Sequence, residues 1–139
     1  QVVPNDNTLI MAEHVAQQIG AEVIEIEAWM SLSFKKNKNQ TASPQEFLGY
    51  IKNAACVVTT SFHATVFSVI FNRPFYTIAL NNSADNRSQS VLQSLNLSHR
   101  MINYSERPKF ETIDYSKTTE LLDSIKTNSE NFLKQSIHG

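Results

Sequence analysis

The sequence predicts an α/β fold: a Rossmann-like three-layer α/β/α domain with a mainly parallel sheet. Three observations lead there. Short apolar strand-like runs recur along the chain, helical patterns separate them, and the connections are short. That alternation is the pattern of a parallel sheet covered by helices on both faces. Ligands of such sheets sit at the carboxyl ends of the strands.

The elements follow in order. Asp6–Ile19 carries Leu9, Ile10, Ala12, Val15, Ala16 and Ile19 at helical spacing, and Gly20 stands where a helix stop belongs. Residues 22–27 (EVIEIE) alternate strictly, which predicts a strand. The Lys/Asn-rich stretch 31–41, with Lys35, Lys36 and Lys38, reads as a solvated loop. Ser43-Pro44-Gln45-Glu46 is a capping box, with Ser43 as N-cap, Pro44 in the first helical position and Glu46 reaching back. The helix it opens runs to about Asn53 with Phe47, Leu48 and Ile51 inward. Residues 56–60 form a short buried strand, 62–71 a helix, and 74–79 (PFYTIA) another strand. A polar loop is expected over 81–86, a helix over 88–95, and a short strand near Met101 and Ile102. Residues 117–137 close the chain as an amphipathic helix carrying Leu121, Leu122, Ile125, Phe132 and Leu133.

Composition narrows the class. A chain of 139 residues with 41% apolar and 18% charged residues fits one globular domain. The formal net charge of −1 argues against a nucleic-acid partner, which would require a basic excess or stripe. The single Cys56 excludes an internal disulfide and fits a reducing compartment; in the apolar run 54–58 it reads as a small buried hydrophobe. The chain starts Gln1-Val2-Val3-Pro4 without Met, so the expectation is one domain of a longer protein.

The stretch VVTTSFHATVFSVIF, residues 57–71, carries the chemistry. Its second half would suit a strand by propensity, with Val66, Val69, Ile70 and three Phe. Ser61, Thr65, Ser68 and Asn72, however, fall on one stripe of an α-helix. A strand ending near Thr60 and a helix starting near Phe62 put His63 in a helical first turn. Free backbone N–H groups and the positive end of the helix dipole attract an anion there. Thr59, Thr60, Ser61 and Thr65 add hydroxyls, and an imidazole can donate a hydrogen bond or act as a general acid. A histidine in this place also occurs as a structural residue bonded to a nearby carbonyl, and spacing alone leaves both readings open.

The same residues resemble a known family. Ser43 to Ala54 (SPQEFLGYIKNA), Val57 to His63 (VVTTSFH), Phe67 to Phe75 (FSVIFNRPF), Asn86-Arg87-Ser88, and Leu92, Leu95, Leu97 and Arg100 are similar to the C-terminal half of polysaccharide pyruvyl transferases. The resemblance implies one half of a two-lobed fold similar to GT-B glycosyltransferases, with the active site between the lobes. It implies transfer of an enolpyruvyl-derived group from phosphoenolpyruvate to sugar hydroxyls, forming a pyruvate ketal on a cell-surface polysaccharide or its lipid-linked precursor. His63 falls on the histidine of the family's Arg/Ser-x-His element, so its implied role is to contact phosphoenolpyruvate or supply a proton. Two positions depart from the common pattern. Ser61 stands where many members carry Arg, and Ala64 where the subgroup with Ser commonly has Gly.

Arg87 suits pairing with a phosphate or carboxylate, because a guanidinium grips either in bidentate fashion. The substrate-binding candidates are therefore Thr60, Ser61, Thr65, Asn86 and Arg87, with His63 as the catalytic one. Asp85, Asp114 and Glu46 lack partners at metal-ligand spacing, and His14, His99 and His138 form no set with His63, so no metal is expected. No cofactor is implied beyond phosphoenolpyruvate as donor. The implied partners are that donor, a glycan acceptor and an N-terminal lobe of the same chain. The implied location is the cytoplasm, with peripheral association at the inner face of the membrane. Two other classes stay open: the nucleotide-sugar-binding half of a GT-B glycosyltransferase, and a non-catalytic domain keeping the fold. The first expects a carboxylate gripping a ribose near the ligand helix, and 61–72 contain neither Asp nor Glu.

Overall fold

A computed structural model describes residues 6–26 and 43–138. Helix α1 (Asp6–Ile19) turns Met11, Val15 and Ala16 inward. It ends at Gly20, whose φ of +64° is a left-handed conformation that glycine adopts without a Cβ clash, and the Ala21 N–H closes the turn on the Ala16 carbonyl at 3.0 Å. Helix α2 (Pro44–Asn53) starts in the expected capping box. The Glu46 N–H donates to Ser43 Oγ at 3.2 Å, and the Ser43 N–H donates to Glu46 Oε2 at 3.1 Å. Then follow β1 (Val57–Thr59), α3 (Phe62–Ile70), β2 (Phe75–Ile78), α4 (Asp85–Ser94), a 3-10 turn (Ser98–Arg100), β3 (Met101–Ile102) and α5 (Ser116–His138).

The three strands form one parallel sheet in the order β1-β2-β3, with Val57 beside Phe75, Thr59 beside Thr77, and Ile78 beside Ile102. Successive strand residues face opposite ways, and both faces are covered. Val57, Phe75 and Met101 join Val69 of α3, Leu92 of α4 and Leu121 and Leu122 of α5 in one core. Val58, Tyr76, Ile78 and Ile102 meet Met11 and Val15 of α1 in the other. The arrangement is the small Rossmann-like α/β/α fold that the sequence predicts. Parallel pairing puts the carboxyl ends of all three strands on one edge, where α3 and α4 begin.

Two boundaries differ from the sequence reading. Residues 22–26 form neither strand nor helix, and Glu27 lies outside the described residues. Alternation makes a strand only where a ladder partner is within reach, and among the described residues β1 pairs with β2 alone. The segment and β1 are walls of one cavity of about 1020 Å³, and Ile24 is 59% exposed. The second difference is α4, which begins at Asp85, three residues before the expected start at 88, and so takes Asn86 from the expected loop, and Arg87 after it, into a first helical turn. Its inward positions are Asp85, Ser88 and Leu92, spaced three and four apart. Two of these are polar, so apolar periodicity did not reveal the start. The loop expected over 31–41, with Lys35, Lys36 and Lys38, lies outside the described residues, as do the side chains of Phe132 and Leu133.

Cys56 packs with the second core, and burial pushes its thiol up to about 11, with nearby Arg100 partly opposing the rise. A thiol held protonated at neutral pH is a poor nucleophile, which agrees with its reading as a small hydrophobe. Arg100 is itself buried, donating to the Glu111 and Thr112 carbonyls at 3.2 Å each, its guanidinium 5.0 Å from the Tyr76 ring centre. It pins the chain after β3 to the sheet. Among the described residues, no helix is long and apolar enough to cross a membrane.

Candidate active site

The turn from β1 into α3 is built by hydroxyls. The Ser61 N–H donates to Thr59 Oγ1 at 2.9 Å, which folds the chain back as the strand ends. Ser61 is the N-cap of α3, in extended conformation, and its Oγ accepts from the Ala64 N–H at 3.4 Å. Thr65 has no exposed surface. Its hydroxyl lies 2.9 Å from the Ser61 carbonyl and 2.7 Å from Thr77 Oγ1, so it ties the start of α3 to β2. In this geometry Thr65 supports the turn from inside and presents no donor to solvent. Ser61 likewise directs its hydroxyl to its own helix.

What remains facing outward is His63. The residue is exposed, and its ring makes no hydrogen bond among the described residues, so it is not tied to a carbonyl. The N–H groups of Phe62 and His63, in the first turn of α3, also lack intrahelical acceptors. Ala64 is buried on the inward side of α3, so its methyl group points away from the side that His63 occupies. Thr60 is half-buried at the strand end, and no hydrogen bond holds its hydroxyl among the described residues.

The loop after β2 brings the second group. Asp85, 6% exposed, accepts from the Leu80 N–H at 2.9 Å and the Asn81 N–H at 2.8 Å, one on each carboxylate oxygen. Asn81 is left-handed at φ 59°, and Asn82 Oδ1 accepts from the Ala84 N–H at 2.8 Å. Ala84, the N-cap of α4, offers no side-chain cap, so Asp85 is the group that clamps the incoming loop. Asn86 and Arg87 then project from the first turn of α4, both exposed.

His63 and Arg87 meet on one ring. The guanidinium carbon of Arg87 lies 4.7 Å from the centre of the Phe62 ring, and the His63 imidazole contacts the same ring edge-on, 5.7 Å between centres and 73° between planes. The result is a cation and an imidazole in contact with one aromatic ring at the carboxyl edge of the sheet, beside free helical N–H groups. Such a set can hold an oxyanion and pass a proton to what is bound. The sequence reading named His63 and Arg87 and missed Phe62. The signal available was an aromatic ring at the first helical position beside a candidate histidine.

The cavity of about 1020 Å³ lies beyond β1 and is reached by Thr59 and Ala64, while Phe62, His63 and Arg87 do not line it. Among the described residues, no group of three or more His, Cys, Asp or Glu side chains could hold a metal ion. Among known proteins, a family model described as polysaccharide pyruvyl transferase matches residues 3–82, more than half of the chain. The match spans Thr60, Ser61, His63 and Thr65 and stops short of Asn86 and Arg87. No curated protein and no solved structure matches the chain.

Proposed function

Because the chain belongs to the polysaccharide pyruvyl transferase family, we propose that it forms the phosphoenolpyruvate side of a ketal-forming active site. The acceptor is a sugar diol of a cell-surface polysaccharide or of its lipid-linked precursor. A second lobe of the same protein supplies the facing wall of the cleft, as in GT-B-like enzymes, and the reaction runs in the cytoplasm at the membrane face where such precursors are presented. The observation that carries this reading is the convergence of His63 and Arg87 on Phe62 at the carboxyl edge of the sheet.

The reaction requires three things of the protein. The methylene carbon of phosphoenolpyruvate takes up a proton and becomes a methyl group. Two sugar oxygens then bond to the adjacent carbon while its bond to the phosphate oxygen breaks. Of the two hydroxyl protons, one balances the proton taken up and the other leaves with inorganic phosphate. Arg87 pairs with the donor's phosphate or carboxylate, and the first-turn N–H groups of α3 share that charge. His63 delivers the proton to the methylene carbon or hydrogen-bonds the departing phosphate. Asn86 and Thr60 flank these groups as additional donors to the same anion, while Ser61 and Thr65 hold the turn.

Titration of the intact protein separates this reading from the nucleotide-sugar alternative. Phosphoenolpyruvate should bind saturably, and Arg87→Ala should weaken it by about tenfold or more, the loss of one charge-assisted pair. Saturable binding of nucleotide sugars with no binding of phosphoenolpyruvate would reverse the assignment.

A further inference from the structure

His63 and Arg87 come from different helices, both are exposed, and neither side chain hydrogen-bonds to any group among the described residues. An unrestrained arginine samples many rotamers, and a bidentate grip requires one. Phe62 is the side chain in contact with both. Its distances to them lie within the attractive ranges for cation–π and edge-on aromatic contacts.

We propose that Phe62 is a positioning residue for the donor site, setting the guanidinium of Arg87 in register with the imidazole of His63. The proposal rests on the phosphoenolpyruvate reading above for its substrate. Phe62 belongs to neither core. The inward side of α3 is made by Ala64, Thr65, Ser68 and Val69, so a large ring at residue 62 is not there to fill the interior. A guanidinium stacked on a ring face keeps its edge N–H donors free, and those are the donors a phosphate or carboxylate uses. Leucine would fill similar space but lacks the ring quadrupole that attracts the cation.

The test uses the intact protein with Phe62→Leu, Phe62→Tyr, Arg87→Ala and the Phe62→Leu/Arg87→Ala pair. Phe62→Leu should raise KM for phosphoenolpyruvate about two- to fivefold with a smaller change in kcat. Phe62→Tyr should behave as the parent, and Phe62→Leu should add nothing to KM once Arg87 is gone. A readout that needs no substrate runs beside the kinetics. The Nε–H resonance of Arg87 should carry a ring-current shift that is retained with Tyr and lost with Leu. A lower kcat at unchanged KM in Phe62→Leu, the mark of less folded protein, would overturn the proposal. So would an Arg87 resonance that ignores the substitution. If the resonance moves as expected but the parent does not bind phosphoenolpyruvate, the hold of Phe62 on Arg87 is supported and the donor assignment alone fails.

Discussion

Replacing His63 with Ala in the intact protein should lower turnover of phosphoenolpyruvate by about 10²–10⁴-fold while leaving the domain folded. The magnitude is that of losing a positioned general acid. The separation from stability follows from where the residue sits. His63 is exposed, its ring bonds to no carbonyl among the described residues, and α3 is capped by Ser61. Exposed substitutions of this kind shift stability by no more than about 0.5 kcal/mol. Steady-state phosphate release and a thermal melt on the same sample check both halves. His63→Gln sorts the two roles open to the imidazole. A carboxamide can still hydrogen-bond a phosphate, but it cannot deliver a proton, so Gln should match Ala if protonation is the role and recover part of the activity if phosphate contact is. Turnover of His63→Ala equal to the parent would remove His63 from the chemistry altogether.

Asp85→Ala should act in the opposite way, damaging the scaffold first and the site through it. The carboxylate is almost fully buried and holds the Leu80 and Asn81 N–H groups, one on each oxygen. It also lies in the first turn of a helix whose N-cap residue has no capping side chain. Removing it leaves two part-buried donors unpaired, with an expected cost of about 2–3 kcal/mol in a urea titration. Asp85→Asn should recover little of this. A carboxamide has one acceptor oxygen, and its NH₂ group would point at the second N–H. Because the clamped loop leads directly into Asn86 and Arg87, KM for phosphoenolpyruvate should rise in both variants. Unchanged stability in Asp85→Ala would show that the loop is held by something else.

The contrast between these two residues explains what the sequence made legible. His63 could be located because a strand-to-helix junction has a local signature, the hydroxyl-rich TTSFH between two apolar runs. Strands β1 and β2 and helices α1 and α2 were visible for the same reason, each carrying its own period, cap or stop. The sequence reading weighed Asp85 only as a metal ligand and did not assign it the loop clamp, because its partners are backbone N–H groups, which have no sequence signal. The start of α4 was hidden by that choice of polar residues on its inward face. Thr65 was expected to offer its hydroxyl to a ligand, whereas the hydroxyl closes on Thr77, twelve residues away. Residues 22–26 show the converse failure: strict alternation marks a chain suited to a sheet edge, and among the described residues no ladder partner pairs with it. Phe62 was passed over because pairing across α3 and α4 depends on how the helices pack, and packing is a property of the fold.

The most direct test of the account is a label experiment on the intact protein with phosphoenolpyruvate labelled in its carbon skeleton and a glycan acceptor. Incorporated label and released phosphate should appear one for one in the parent, and both should disappear together in His63→Ala. Sugar transfer from a nucleotide sugar, with the labelled phosphoenolpyruvate left intact, would contradict it.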